Sequence, residues 1–364
     1  MHTRRPLPPI MSPMRVGTLD TRRRRRPGIP RGRGRVVFAA VTVLALLYVI
    51  GLASGDDERV ATAVKDAVET TGTVAPTATI ASPTEVNASI TATLLPAALS
   101  RSAVTVDGST IALFGGRNTK GASLTQVLRY EPSTGLFTAL APLPEPLQGA
   151  AAVTFANRPL SIGGGDAKPT ANVGAFVDGK VSIVGRLPEA RTEAQAVVLD
   201  KTLYIVGGYD GAKEPLTMLA SADGTTFRQI GVLIQGNRRG TLVGVGAFLY
   251  LIGGEENGVA SARILRIDPT DGAVTQIGLL PAPLSGAVGF VLQGSVFVAG
   301  GRHGNEVTDQ ILHIDLITGA ATPAGLLPEP ASSSSVAVLG DTAFVFGGEA
   351  AVAKAGVVAI RAAR

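Results

Sequence analysis

The residues best suited to chemistry in this chain recur on a beat. Arg101, Gln148, Arg191 with Glu193, Arg238 with Arg239, Ser285, and Ser332 with Ser333 each stand a few residues behind a marker. The markers are Leu95-Pro96, Leu143-Pro144, Leu187-Pro188, Leu233-Ile234, Leu280-Pro281 and Leu327-Pro328, spaced 44 to 48 residues apart. A guanidinium presents a rigid fork of donors that meets a carboxylate with two parallel bonds. Several arginines brought to one place would bind an anionic group. The alternative reading of the same set is a water-filled passage whose polar residues keep it wet. A second set, Asp166, Asp210, Glu255, Glu256 and Glu349, follows a recurring glycine pair. Carboxylates there could exchange protons or hold a cation, and solvated loop charge is the plainer reading.

Other chemistry lacks its ingredients. The chain has no cysteine, which excludes disulfides, thiolate metal sites and a cysteine nucleophile. Its three histidines are His2, His303 and His313. A serine-histidine-aspartate triad would have to use His303, and nothing in the spacing puts a serine beside it. No catalytic residue, metal ligand or cofactor is therefore assigned.

The elements that must position these residues begin well into the chain. The net charge of +5 is uneven: the first 35 residues hold 11 arginines and one acid, so the remainder is net −5. That tail, with its run Arg22 to Arg26 and its prolines, reads as disordered. Its arginines serve as a topology signal, and no nucleic-acid partner is expected. Val36 to Ala53 is an uncharged run of 18 residues ending before Asp56, Asp57 and Glu58. It is long enough for one membrane crossing. The flanking charges predict a plasma-membrane, single-pass anchor with the N-terminus in the cytoplasm and the rest outside. A cleaved signal peptide is the rival, since Gly51 and Ala53 fit a small-x-small site. Residues 54–88, rich in Ala, Thr, Ser and Pro, read as an extended spacer. Within them Val60, Val64 and Val68 fit one short amphipathic helix.

Residues 89–364 are a sixfold repeat. Glycine pairs end apolar runs at Gly115, Gly163, Gly207, Gly253, Gly300 and Gly347, in phase with the Leu-Pro markers. Each unit resolves into four short strands joined by turns such as Asp268 to Gly272. A four-stranded meander cannot bury both faces alone, and six stacked radially can, so the fold class is all-β, a six-bladed propeller. The last unit has a third strand, "GVVAIRA", and no fourth. "SITATLLPAAL", Ser89 to Leu99, aligns with "AVTQIGLLPAPL", Ala273 to Leu284, so Ile90 to Leu94 is expected to supply the missing outer strand and close the ring.

The units resemble the kelch repeat, whose blades carry four hydrophobic residues, a double glycine and then two spaced aromatics. The likeness runs from about Ser89 to Arg361. Tyr130 and Phe137 form the aromatic pair in the first unit, while others substitute Ile267 with Val274 or Ile314 with Ala321. The resemblance implies that the connection between blades lies at the mouth of the central channel, where ligands bind, and so gathers Arg101 and its counterparts there. The expected function is a binding or scaffold module for a protein or a small anionic ligand. The alternative is a sugar-processing enzyme similar to the six-bladed kelch-type N-acetylneuraminate epimerases. An acid-base pair in the channel, with His303 or a carboxylate close to an arginine, would favour the enzyme.

Overall fold

The computed structural model describes residues 82–363. The tail, the apolar run 36–53 and residues 54–81 of the spacer, with the short helix expected there, lie outside the described residues. Among the described residues no helix is long and apolar enough to cross a membrane.

Six four-stranded antiparallel sheets follow one another. Blade 1 runs Ala103–Asp107, Thr110–Phe114, Val127–Glu131 and Leu136–Ala139, paired in that order from the channel outward. Blades 2 to 5 repeat the pattern, with first strands Ala151–Phe155, Gln195–Leu199, Thr241–Val245 and Val288–Leu292. Between the second and third strands, blades 4 and 5 add a small hairpin each, Glu255–Glu256 with Val259–Ala260 and Arg302–His303 with Glu306–Val307.

Blade 6 joins the two ends of the propeller. Ser335–Leu339, Thr342–Phe346 and Val357–Ala362 come from the C-terminal side, and the outer strand is Val86–Ile90. Val86 sits opposite Ala362 and Ile90 opposite Val358. The closing strand therefore lies upstream of the expected Ile90 to Leu94 and begins three residues ahead of Ser89. The reason is local. The Thr91 amide still donates to the Val357 carbonyl at 2.8 Å, and the Leu95 amide to Ala355 at 2.9 Å. Between them the chain bends, with the Thr91 hydroxyl on the Thr93 carbonyl at 2.9 Å. Counting back from Leu95-Pro96 read that bend as strand.

Because each blade is covered on both faces, its middle strands are apolar at consecutive positions instead of alternating. Ser295–Ala299 and Thr342–Phe346 are buried throughout, whereas the outer Lys180–Arg186 is mostly exposed. The buried side chains form six clusters, one per pair of adjacent blades. Phe290, Phe297 and Leu327 of blade 5 meet Val345 and Ile360 of blade 6. Leu113 and Tyr130 of blade 1 meet Phe344 and Phe346 of blade 6. Tyr130 stacks on Phe137 at 4.7 Å, which is what the aromatic pair does in that blade.

The glycine pair ties each blade to the next. In blade 3, Gly207 has φ +71 and Gly208 has φ +104. A Cβ on Gly207 would overlap the Asn237 carbonyl oxygen, and that same oxygen accepts the Gly208 amide at 2.7 Å. One glycine makes room for the carbonyl and the other donates to it. The contact recurs at all six interfaces, the last from Gly348 to the Leu99 carbonyl at 2.9 Å.

Candidate functional site

The connections between blades meet in a closed ring. Arg101, Gly149, Glu193, Arg239, Gly286 and Ser333 all have left-handed backbone, with φ from 52 to 65. Each amide donates to the carbonyl of its neighbour in the preceding blade. Gly149 donates to Arg101 at 3.0 Å, Glu193 to Gly149 at 2.7 Å and Arg239 to Glu193 at 3.2 Å. Gly286 donates to Arg239 at 2.9 Å, Ser333 to Gly286 at 2.7 Å, and Arg101 closes the circle on Ser333 at 2.9 Å. Four of these residues carry a Cβ, and left-handed backbone costs each roughly 1–2 kcal/mol. The ring bonds offset it.

The ring's side chains build an ion-pair network over the channel. Glu193 Oε1 accepts from Arg101 Nη1 at 2.9 Å and from Arg239 Nε at 2.8 Å. Arg101 also reaches Glu349 at 3.2 Å, and Arg239 reaches Glu255 at 3.2 Å. Glu255 is shared with Arg238 at 3.0 Å, and Arg238 lies 3.6 Å from Glu214. Gly149 lets the next connection approach, since a Cβ there would come within 2.6 Å of Thr192 Oγ1. Burial works against the charge of Glu349, but Arg101, Ser100 and Arg239 outweigh it and hold its carboxyl below the usual range. Burial likewise opposes the charge of Arg239, and Glu193 with Glu255 raise its guanidinium above the ordinary value.

This network separates two spaces. Below it, the channel offers about 230 Å³ between the six first strands, lined by small residues such as Ala103, Ala152, Ala194 and Ala196. Ser102 and Ser335 join their hydroxyls there at 3.1 Å. Above it, a vestibule of about 360 Å³ is bounded by Arg101, Gln148, Glu193, Arg238 and Arg239 together with Asp166, Lys168 and Tyr209. The Arg238 guanidinium lies 5.2 Å from the Tyr209 ring centre.

The residues read from sequence divide accordingly. Arg101, Gln148, Glu193, Arg238 and Arg239 converge on the vestibule. Ser333 completes the ring and faces the channel. Ser285 and Ser332 bridge their blades' loops at Arg302 and Glu349. Arg191 is the correction. It is fully buried, and its guanidinium donates to the carbonyls of Gly207 and Thr217, both at 2.9 Å, and to Glu189 at 2.6 Å. Its place in the connection is that of Leu99 and Leu147, whose carbonyls also receive a glycine amide. Such a residue points into the blade interface, away from the mouth.

Of the carboxylates behind the glycine pairs, Glu255 and Glu349 belong to the network and Asp166 to the vestibule wall. Asp210 instead caps its own loop, accepting the amides of Ala212 and Lys213 at 2.8 Å, and Glu256 pairs with Arg263 at 2.7 Å. Glu214, Lys168 and Tyr209 were not singled out from sequence, because they lie in loops that carry no shared pattern. His303 faces away, its Nδ1 2.8 Å from the Pro283 carbonyl. His313 packs on Phe297. Among the described residues no three of His, Asp and Glu converge in a way that could hold a metal ion.

No protein-family model matches the chain. It is similar to alpha-scruin of Limulus polyphemus, 29% identical over 210 residues, which are 50% of this chain and 22% of that protein. It is similar to beta-scruin of the same animal, 29% identical over 124 residues, 31% of this chain and 14% of that one. The matches thus span less than a quarter of either relative. Among solved structures, that of YjhT superimposes with a TM-score of 0.64 at 15% identity, covering 72% of this chain and 95% of that one. At that identity the likeness is one of fold. With the sixfold glycine repeat and the six blades, these matches support the kelch-repeat β-propeller read from the sequence.

Proposed function

We propose that the chain is a binding module whose ligand, a protein segment or a small molecule bearing an anionic group, is held at the channel mouth. The observation that carries this reading is the convergence of Arg101, Arg238 and Arg239, from blades 1 and 4, on one 360 Å³ vestibule. Residues 82–363 hold 19 Lys and Arg against 22 Asp and Glu, so the clustering does not follow from a general basic bias. A charged hydrogen bond lost from such a site costs roughly 1.5–3 kcal/mol, about ten- to hundredfold in affinity. Calorimetric titration of a panel of acidic sugars and short acidic peptides tests it. Arg101→Ala and Arg239→Ala should each weaken the best binder by that factor. Arg228→Ala, on the exposed outer strand of blade 3, should not. Equal losses from all three would remove the reading. Arg129 makes a poor control, because it pairs with Asp107 at 3.2 Å and lies over Phe176 at the interface of blades 1 and 2.

A sugar-processing enzyme is the second reading, favoured by one observation: Glu193 stands between two arginines at the mouth. Against it, Glu193 Oε1 is already taken by two guanidinium donors, where a general base must reach the proton it removes. Anomer interconversion of an acidic sugar, followed by NMR and abolished by Glu193→Gln, would establish it. No turnover by the wild type removes it.

The same proposal places residues 36–53 in the plasma membrane with the propeller outside. Its support is the 11 arginines on one flank and Asp56, Asp57 and Glu58 on the other. Protease added to intact cells should digest the propeller and spare the arginine tail. A propeller protected in the cytosol would overturn the topology.

A further inference from the structure

The ion pairs at the mouth form one alternating chain: Glu349, Arg101, Glu193, Arg239, Glu255, Arg238, Glu214. It has an acid at each end, so acids exceed bases by one. A purely anionic ligand entering here would take an arginine from its carboxylate and leave that carboxylate beside a second negative charge. Partly buried charges tolerate that badly. Two of the residues lining the vestibule each carry a buried polar atom without a partner, and the two are of opposite kinds. Arg101 Nε is a donor lacking an acceptor, and Gln148 Oε1 is an acceptor lacking a donor. Both residues line the space that Glu193 shares.

Building on the mouth as the binding site, we propose that its ligand is a small zwitterion, an amino acid or an amino-sugar acid carrying a carboxylate and an ammonium together. The carboxylate enters between Arg101 and Arg239 and takes over the bonds that Glu193 Oε1 accepts. The ammonium meets the released Glu193 carboxylate and the Gln148 carbonyl oxygen. Every charge then keeps an opposite neighbour, and the spare donor and spare acceptor both find use. On this proposal the Arg101–Glu193 bridge opens and the Arg101 and Gln148 side chains turn to bring these two buried atoms to the ligand. The vestibule is of a size to take one such molecule.

Titration calorimetry on the full chain tests this with free α-amino acids and amino uronic acids. Each is compared with its N-acetyl form, which is anion only, and its methyl ester, which is cation only. At least one zwitterion should bind, with affinity falling tenfold or more when either charge is masked. Glu193→Gln, nearly isosteric, should weaken the zwitterion and shift the ratio toward its N-acetyl form by tenfold or more. An N-acetyl form that binds as tightly as its free parent overturns the zwitterion assignment. The mouth reading would survive if Arg239→Ala still abolished that binding. A zwitterion indifferent to both Arg239→Ala and Glu193→Gln overturns both. A panel silent at millimolar concentration overturns this proposal, while the screen of acidic ligands judges the mouth independently.

Discussion

A glycine of the repeat and a glycine of a turn have nearly the same backbone but different neighbours, which makes them a controlled comparison. Gly207 and Gly246 have φ of +71 and +61. A Cβ on Gly246 meets nothing within 4 Å, whereas one on Gly207 overlaps Asn237. Alanine at 246 should cost roughly 1–2 kcal/mol for its left-handed backbone. Gly207→Ala should cost about 1–3 kcal/mol more, because the blade interface must spread. Denaturant melts of the two variants make the comparison, and equal losses would show that conformation, not packing, selects the pair. Arg191 and Arg239 are separable in a similar way. Removing Arg191 leaves the Gly207 and Thr217 carbonyls inside the blade interface without their donor, so Arg191→Ala should lower stability by about 1–3 kcal/mol while sparing ligand affinity in the survivors. Arg239→Ala should do the reverse. Glu349 gives a pH signature. Its carboxyl lies below the usual value of 4.5, so its contribution to stability is complete above that value and is lost as the pH falls through the lower native one. Glu349→Gln should flatten the acid limb of the stability profile, and an unchanged limb would deny the pairing with Arg101.

At the scale of the element, the outer strand of blade 6 carries the sharpest expectation. A chain beginning at Thr91 lacks Val86–Ile90 and exposes the edge of Val357–Ala362, where one beginning at Ser82 keeps the pairing. The shorter chain should melt lower and aggregate through that edge. Identical melts would mean that the pairing does not hold the ring. The sequence was legible here where two markers kept phase, since a glycine pair and a Leu-Pro can be counted without knowing any contact. It was illegible where an element departs from the count. The bend at Thr91 to Leu94 displaced the closing strand, and Arg191 was grouped with the mouth by residue type although its register belongs with Leu99 and Leu147. One further signal stood in the letters unused. Gly185, Gly231, Gly278 and Gly325 each lie two residues before a marker, and the first three pack on turn backbone of the next blade. They follow irregular pairing in blades 2 to 5, which marks where the perimeter is drawn in.

For the whole molecule, stability is distributed over six interfaces, each with its own buried cluster, and the ring of inter-blade hydrogen bonds links them. The candidate site sits on that ring, so the residues that hold the blades together also hold Arg101, Glu193 and Arg239 in place. The number of blades could be read from the repeat, and the kelch resemblance, not the repeat, put the inter-blade connections at the channel mouth. The pairing of the arginines could not be read, because Glu349 is brought to Arg101 only by closure of the ring.

Closure also sets a clock. Val86–Ile90 leaves the ribosome before any blade is complete, and its partner Val357–Ala362 leaves only after blades 1 to 5. With roughly 270 residues between them and synthesis at about 5–20 residues per second, the first strand waits on the order of 15–50 s for its mate. During that interval blades 1 to 5 can stack, while the closing strand remains free to pair with the corresponding edge of another nascent chain. Ring-opened and strand-exchanged species should therefore arise at blade 6 during synthesis, and crowding of ribosomes on one message should raise their yield.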